Sequence, residues 1–249
     1  MQRLKVGLFD SGLGGLSVLK AFLIKHPNFH YIYFGDNKRA PYGDREKKEV
    51  LLFTQEILSF FEEKKPDALL VACNTIAALA KEVLVKVDYP IFTILDSGLK
   101  LLQEKKEDSC GLLATSNTVA SLVFGNIPSL ACPEFAPLVE QEKMGSKEAE
   151  VLIEARLRSW KKNAPKYLLL ACTHYPFLMG DIQKQLKKTK LLDPAQKMAE
   201  DFPLQSALSS PGPIEFYSSG SLERLEHFSK NHLPLEGHSL VYKQKILGK

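Results

Sequence analysis

The feature that most constrains this chain is a recurring short apolar run followed each time by a segment with helical periodicity. "LKVGLF" (4–9) leads through a Gly-rich turn into "LSVLKAFLIKH", and "YIYFGD" (31–36) precedes "EVLLFTQEILSFFEEK". "ALLVAC" (68–73) precedes "IAALAKEVLVKV", and "IFTIL" (91–95) precedes "LKLLQEKK". Runs this short and this continuously apolar predict strands buried on both faces. Their alternation with amphipathic helices predicts an α/β fold, a parallel sheet covered by helices on each side.

A second series repeats the pattern. The strand "CGLLAT" (110–115) is followed by "SNTVAS", a helical segment spans 146–162, and the strand "YLLLAC" (167–172) precedes the helix "GDIQKQLKK". "PLQSALSSPGP" (203–213) reads as a linker, "IEFYSSG" (214–220) as one more strand and "LERLEHFSKN" as a short helix. Two segment pairs then stand out. "VGLFDSG" (6–12) resembles "CGLLATS" (110–116), and "PDALLVACNT" (66–75) resembles "PKYLLLACTH" (165–174), in the same order and at similar offsets. This predicts two halves of one architecture, each ending one strand in a polar loop and another in a cysteine.

With 249 residues the chain can form one large domain or two small ones, and 45% apolar with 25% charged content is that of an ordinary globular protein. The net charge of +4 is mild. The lysines of "KKPD", "EKKED", "WKKN" and "QLKKTK" read as solvated faces, so no nucleic-acid partner is expected. No apolar run approaches the roughly 18 residues of a membrane span, and "MQRLKVGLFDSG" becomes a strand too early for a signal peptide. The expectation is a cytoplasmic protein with no membrane partner. Its four cysteines (73, 110, 132 and 172) are then expected as thiols, with Cys110 and Cys132 as small buried apolar residues. No CxxC spacing supports a metal site. "GLGG" fails the G-x-G-x-x-G frame because Ser17 stands where the last glycine belongs. No cofactor and no metal are expected.

In open parallel sheets, ligands bind beyond the carboxyl ends of the strands. Cys73 and Cys172 both fall there, followed by Asn74-Thr75 and Thr173-His174, residue types suited to cap a helix. Free backbone N–H groups at such a point suit a carboxylate, and the glycines of "DSGLGGLS" (10–17) allow close backbone approach. If the halves face each other, each brings one thiol to a small ligand, as inversion at a carbon requires. One thiolate would take a proton from one face of Cα while the other thiol delivers a proton to the opposite face. The free thiol pKa of roughly 8.5 must fall for this, by a helix N-terminus or a cationic neighbour such as His174. A cysteine hydrolase is disfavoured because Cys172 and His174 share one strand end, and neither cysteine opens a C-x5-R phosphatase loop.

These residues also carry a family pattern. The chain resembles the cofactor-independent glutamate racemases of the aspartate/glutamate racemase superfamily. The resemblance lies in "FDSGLGGLSVL" (9–19), "YFGDNKRAPYG" (33–43), "ACNT" (72–75), "ATSNTVAS" (114–121), "PEFAPLVE" (133–140), "ACTHYP" (171–176) and "FYSSG" (216–220), in family order. It implies Cys73 and Cys172 as catalytic thiols, with Asp10, Glu140 and His174 assisting their proton traffic. It implies that Asp10, Ser11, Pro41, Tyr42, Gly43, Asn74, Thr75, Thr115, Thr118, Thr173 and His174 hold the substrate's carboxylates and ammonium. The implied fold is two flavodoxin-like domains related by a pseudo-twofold axis, with the active site in the cleft between them. The first would take residues 1–96 plus 209–249 and carry Cys73; the second, 97–208, would carry Cys172. The implied reaction is racemisation of L-glutamate to D-glutamate for peptidoglycan, with a homodimer left open as an assembly. Aspartate as substrate, and a non-catalytic amino-acid-binding homologue, stay as alternatives. The sequence also departs from the family: "LDS" (95–97) replaces "IEP" and shortens the acid to Asp96, "ACNTI" replaces "ACNTA", and "DPA" (193–195) replaces "DSG".

Overall fold

A computed structural model describes residues 3–248. Its strands all pair in parallel and divide between two sheets. The larger contains β1 (Lys5–Asp10), β2 (His30–Gly35), β3 (Ala68–Val71) and β4 (Ile91–Thr93). The smaller contains β5 (Cys110–Ala114), β6 (Ser129–Ala131), β7 (Tyr167–Ala171) and β8 (Lys190–Leu192). The chain then returns to the larger sheet with β9 (Ile214–Ser218) and β10 (Leu240–Gln244). The strand orders are β10-β9-β2-β1-β3-β4 and β6-β5-β7-β8. The stretch β2-β1-β3-β4 therefore has the order of β6-β5-β7-β8, and the two repeated sequence pairs fall on β1 with β5 and β3 with β7. The internal repeat is real at the level of topology.

Burial explains the apolar runs. In β1, Val6 and Leu8 enter one core cluster while Phe9 enters another on the opposite face. In β7, Leu168 and Leu170 face the central cluster and Leu169 faces a third, beside Leu112 and Phe124. The central cluster joins the two sheets, holding Val6 and Phe22 together with Leu113, Trp160 and Met198. Helix Leu16–Lys25 packs on helix Pro194–Glu200, which packs on helix Ile94–Glu104. Phe202, just beyond, stands edge-on to Phe22 at 5.2 Å and to Phe92 at 5.0 Å. Burying side chains of this size contributes roughly 1.5–3 kcal/mol each.

Several boundaries differ from the sequence expectation. The segment "IAALAKEVLVKV" is two helices, Asn74–Leu79 and Lys81–Leu84, meeting at Ala80. The break lets Ile76, Ala77, Ala80, Val83 and Leu84 all reach one cluster. The strand expected over 91–95 stops at Thr93, whose hydroxyl accepts from the Asp96 N–H at 3.1 Å and starts a helix at Ile94. Asp96 is thus an exposed helix-start residue, its carboxylate accepting from the Thr93 hydroxyl at 2.6 Å. All four cysteines are free, and Cys132 is fully buried as expected, but Cys110 is only partly buried because it opens β5 at the sheet's rim.

Candidate active site

Strand pairing sets the site. β1 and β3 are neighbours with Phe9 opposite Val71, so Asp10 and Ser11 leave the sheet edge beside Cys73. β5 and β7 are neighbours with Ala114 opposite Ala171, which places Thr115 beside Cys172. The two carboxyl edges meet at a small cavity of about 20 Å³. Its walls are Ser11, Pro41, Tyr42, Gly43, Cys73, Asn74, Thr75, Thr115, Ala136, Cys172, Thr173 and His174. One thiol comes from each sheet, and they are near enough that charge on Cys172 raises the Cys73 pKa.

The Cys172 thiol contacts an ionic relay. Its Sγ lies 3.7 Å from His174 Nδ1, and His174 Nε2 donates to Glu140 Oε1 at 2.8 Å. The same oxygen accepts from the Leu13 N–H at 3.0 Å. Burial works against an imidazolium here, but the bonds to Cys172 and Glu140 outweigh it and hold His174 well above its usual pKa. Burial likewise works against the Glu140 carboxylate, yet His174, the Leu13 N–H and Arg224 hold it below its usual range. The turn after β1 must come close for this to happen. A Cβ on Gly14 would lie 2.4 Å from Thr173 Oγ1 and 2.5 Å from His174 Nδ1, so only glycine fits without displacement.

Cys73 has a different setting. Its Sγ is 3.6 Å from Ser11 Oγ, and burial followed by the charge of Asp10 pushes its pKa up to about 12. Asp10 is fully buried behind the cavity wall, and burial raises its own pKa. Its Oδ2 accepts from the N–H groups of Gly12 and Gly15 at 3.1 and 3.0 Å, and its Oδ1 from Thr173 Oγ1 at 3.3 Å. Asp10 therefore ties the first turn of one half to the strand end of the other.

The remaining wall is polar and partly unsatisfied. Thr75 and Thr115 hydroxyls meet at 3.0 Å, and Thr115 bonds Thr118 at 3.0 Å from behind the wall. Asn74 is 2% exposed, and both its side-chain polar atoms lack a hydrogen-bond partner among the described residues. Such a group costs free energy unless a ligand satisfies it. The expected capping role of Asn74 is not observed: Cys73 occupies the N-cap position, and Asn74 and Thr75 lie in the first helical turn. Nor does an α-helix begin at Thr173; His174 precedes a 3-10 turn, Tyr175–Leu178.

All fourteen residues singled out in the sequence lie at or directly behind this cavity, with Asp10, Glu140 and Thr118 in the supporting layer. Sequence reasoning missed Ala136 in the wall, Asp36, which accepts from Tyr42 and from Ser219 at 2.5 Å, and Asn117, which donates to the Arg45 carbonyl at 2.8 Å. Asp36 sits inside the quoted "YFGDNKRAPYG" and could have been found there; Ala136 carries no chemical signal. Among the described residues no helix is long and apolar enough to cross a membrane.

Known proteins are similar to this chain in sequence and overall fold. The glutamate racemase of Aquifex aeolicus is 33% identical over 91% of this chain and 93% of its own length. The crystal structure of glutamate racemase from Campylobacter jejuni superposes with a TM-score of 0.85 at 32% identity, covering 94% of this chain and 99% of that one. That of Francisella tularensis glutamate racemase in complex with D-glutamate superposes with a TM-score of 0.84 at 25% identity, covering 100% and 98%. Residues 19–201 match the Asp/Glu/Hydantoin racemase family, and with relatives this similar over nearly the whole length, the chain belongs to that family.

Proposed function

We propose that this enzyme interconverts L- and D-glutamate by moving a proton at Cα between two thiols, Cys73 on one face and Cys172 on the other. The observation that carries the reading is the pair of cysteines at equivalent strand ends of two matched sheets, lining one cavity. One thiolate removes the Cα proton while the opposite thiol protonates the resulting carbanion, and the roles exchange in reverse. Cys73 is held high by burial and by Asp10, and a substrate ammonium beside it supplies the positive charge that lowers it. On the other side His174, backed by Glu140, exchanges a proton with Cys172. The unpartnered amide of Asn74 and the Thr75–Thr115 pair are the groups for the substrate's carboxylates.

Glutamate is favoured over aspartate by the glutamate racemases that the chain resembles along its length. Chiral chromatography of both amino acids tests it. A pocket distinguishing one methylene does so by about 10- to 200-fold, and that margin in kcat/KM is expected in favour of glutamate. A preference for aspartate would reassign the substrate, and turnover of neither would leave the binding-protein alternative. The role in this reading is cytoplasmic supply of D-glutamate for peptidoglycan. The division into 1–96 with 209–249 and 97–208 follows the strand allocation, and the homodimer is open to sedimentation measurements.

A further inference from the structure

We propose that Arg224 is a positioning residue for the Cys172 side of the reaction, holding Glu140 against His174 from the other half of the molecule. The inference rests on the racemase reading above and extends it to a residue outside the cavity. Arg224 lies on helix Leu222–His232, which packs on β9 and β10 of the larger sheet. Its own N–H is fixed by Ser221 Oγ at 3.2 Å. The guanidinium crosses to the smaller sheet's half, donating to the Glu140 carbonyl at 2.5 Å and reaching Glu140 Oε2 at 3.5 Å. Glu140 ends helix Phe135–Glu140, so its carbonyl is among those left free at a helix C-terminus, where a cation is favoured.

The two oxygens of Glu140 are thus divided. Oε1 serves His174 Nε2 and the Leu13 N–H, and Oε2 faces Arg224. Leu13 and Arg224 belong to one half, His174 and Glu140 to the other, so the carboxylate that orients the imidazole is itself gripped across the cleft. The titratable and charged groups around it are His174, Arg224 and, at longer range, Asp10 and Tyr33. The same helix makes a second contact nearby, with His227 and His232 facing Glu142 at 3.5 and 3.9 Å. Without Arg224, Glu140 loses its nearest fixed cation and one of two restraints from the opposite half.

Profiles of kcat/KM against pH for R224Q, R224K, E140Q and the double variant test this. R224Q is expected to lose about two- to fivefold and to move the acid limb to higher pH, because the Glu140 carboxylate is no longer favoured by a cation. R224K should recover most of the rate and the limb. In an E140Q background, R224Q should add nothing. A helix anchor with no part in catalysis would lower activity equally at every pH and add its loss to that of E140Q; either result overturns the proposal. An R224Q profile matching wild type does so too, while leaving the two-thiol reading intact. A wild-type protein that racemises neither amino acid removes that reading and this one with it.

Discussion

The two thiol sites grow from nearly the same ten residues, "PDALLVACNT" and "PKYLLLACTH", yet they become chemically unlike. Both strands sit beside the first strand of their half and end at the same edge. Past the cysteine they diverge. Cys73 stands at the N-cap of a short helix, joins the outer cluster with Phe9 and Tyr42, and meets the Ser11 hydroxyl, the Ile76 N–H and the field of the buried Asp10 carboxylate. Cys172 joins the central cluster and touches an imidazole backed by a carboxylate. The strand repeat sets where the sulfur atoms stand; Ser11 and Asp10 beside Cys73, and His174 two residues after Cys172, set the groups each sulfur meets. A fold duplicated in outline can therefore carry two different acid–base environments.

This contrast can be broken at three levels. The largest effect belongs to the thiols. C73S and C172S should each cut racemisation by about 10²- to 10⁴-fold, read by chiral chromatography, because the proposed two-thiol reaction needs one group on each face. A serine variant with near-normal turnover would exclude that thiol as an essential acid or base. The next levels separate the two sides. H174N removes a hydrogen bond to a charged group, worth about 1.5–3 kcal/mol, and should cost about 10- to 150-fold in kcat/KM. S11A removes a neutral contact worth about 0.5–1.5 kcal/mol and should cost about two- to tenfold. Equal losses would mean that the two sides are energetically alike despite their geometry.

What was legible in the sequence followed burial. β1, β3, β5 and β7 are covered on both faces and so appeared as continuous apolar runs. β6 and β8 are three residues each and only partly buried, and β10, "LVYKQ", is a half-exposed edge strand, so none of them rises above loop composition. The cysteines were legible because the repeat set them at matching strand ends, and the other site residues because the family motifs surround them. Asn74 shows the limit of local reasoning: its residue type suggests a cap, while the backbone gives that position to Cys73. Arg224 was not legible at all. It meets Glu140 from 84 residues away, and only the packing of the C-terminal helix across the cleft creates the contact.

The most direct measurement is early-time isotope tracking in D2O starting from protiated L-glutamate. Two thiols on opposite faces predict D-glutamate carrying deuterium at Cα from the first turnovers, while the recovered L-glutamate still carries protium. D-glutamate that retains the original hydrogen, or L-glutamate that exchanges as fast as it inverts, would mean that one group serves both faces.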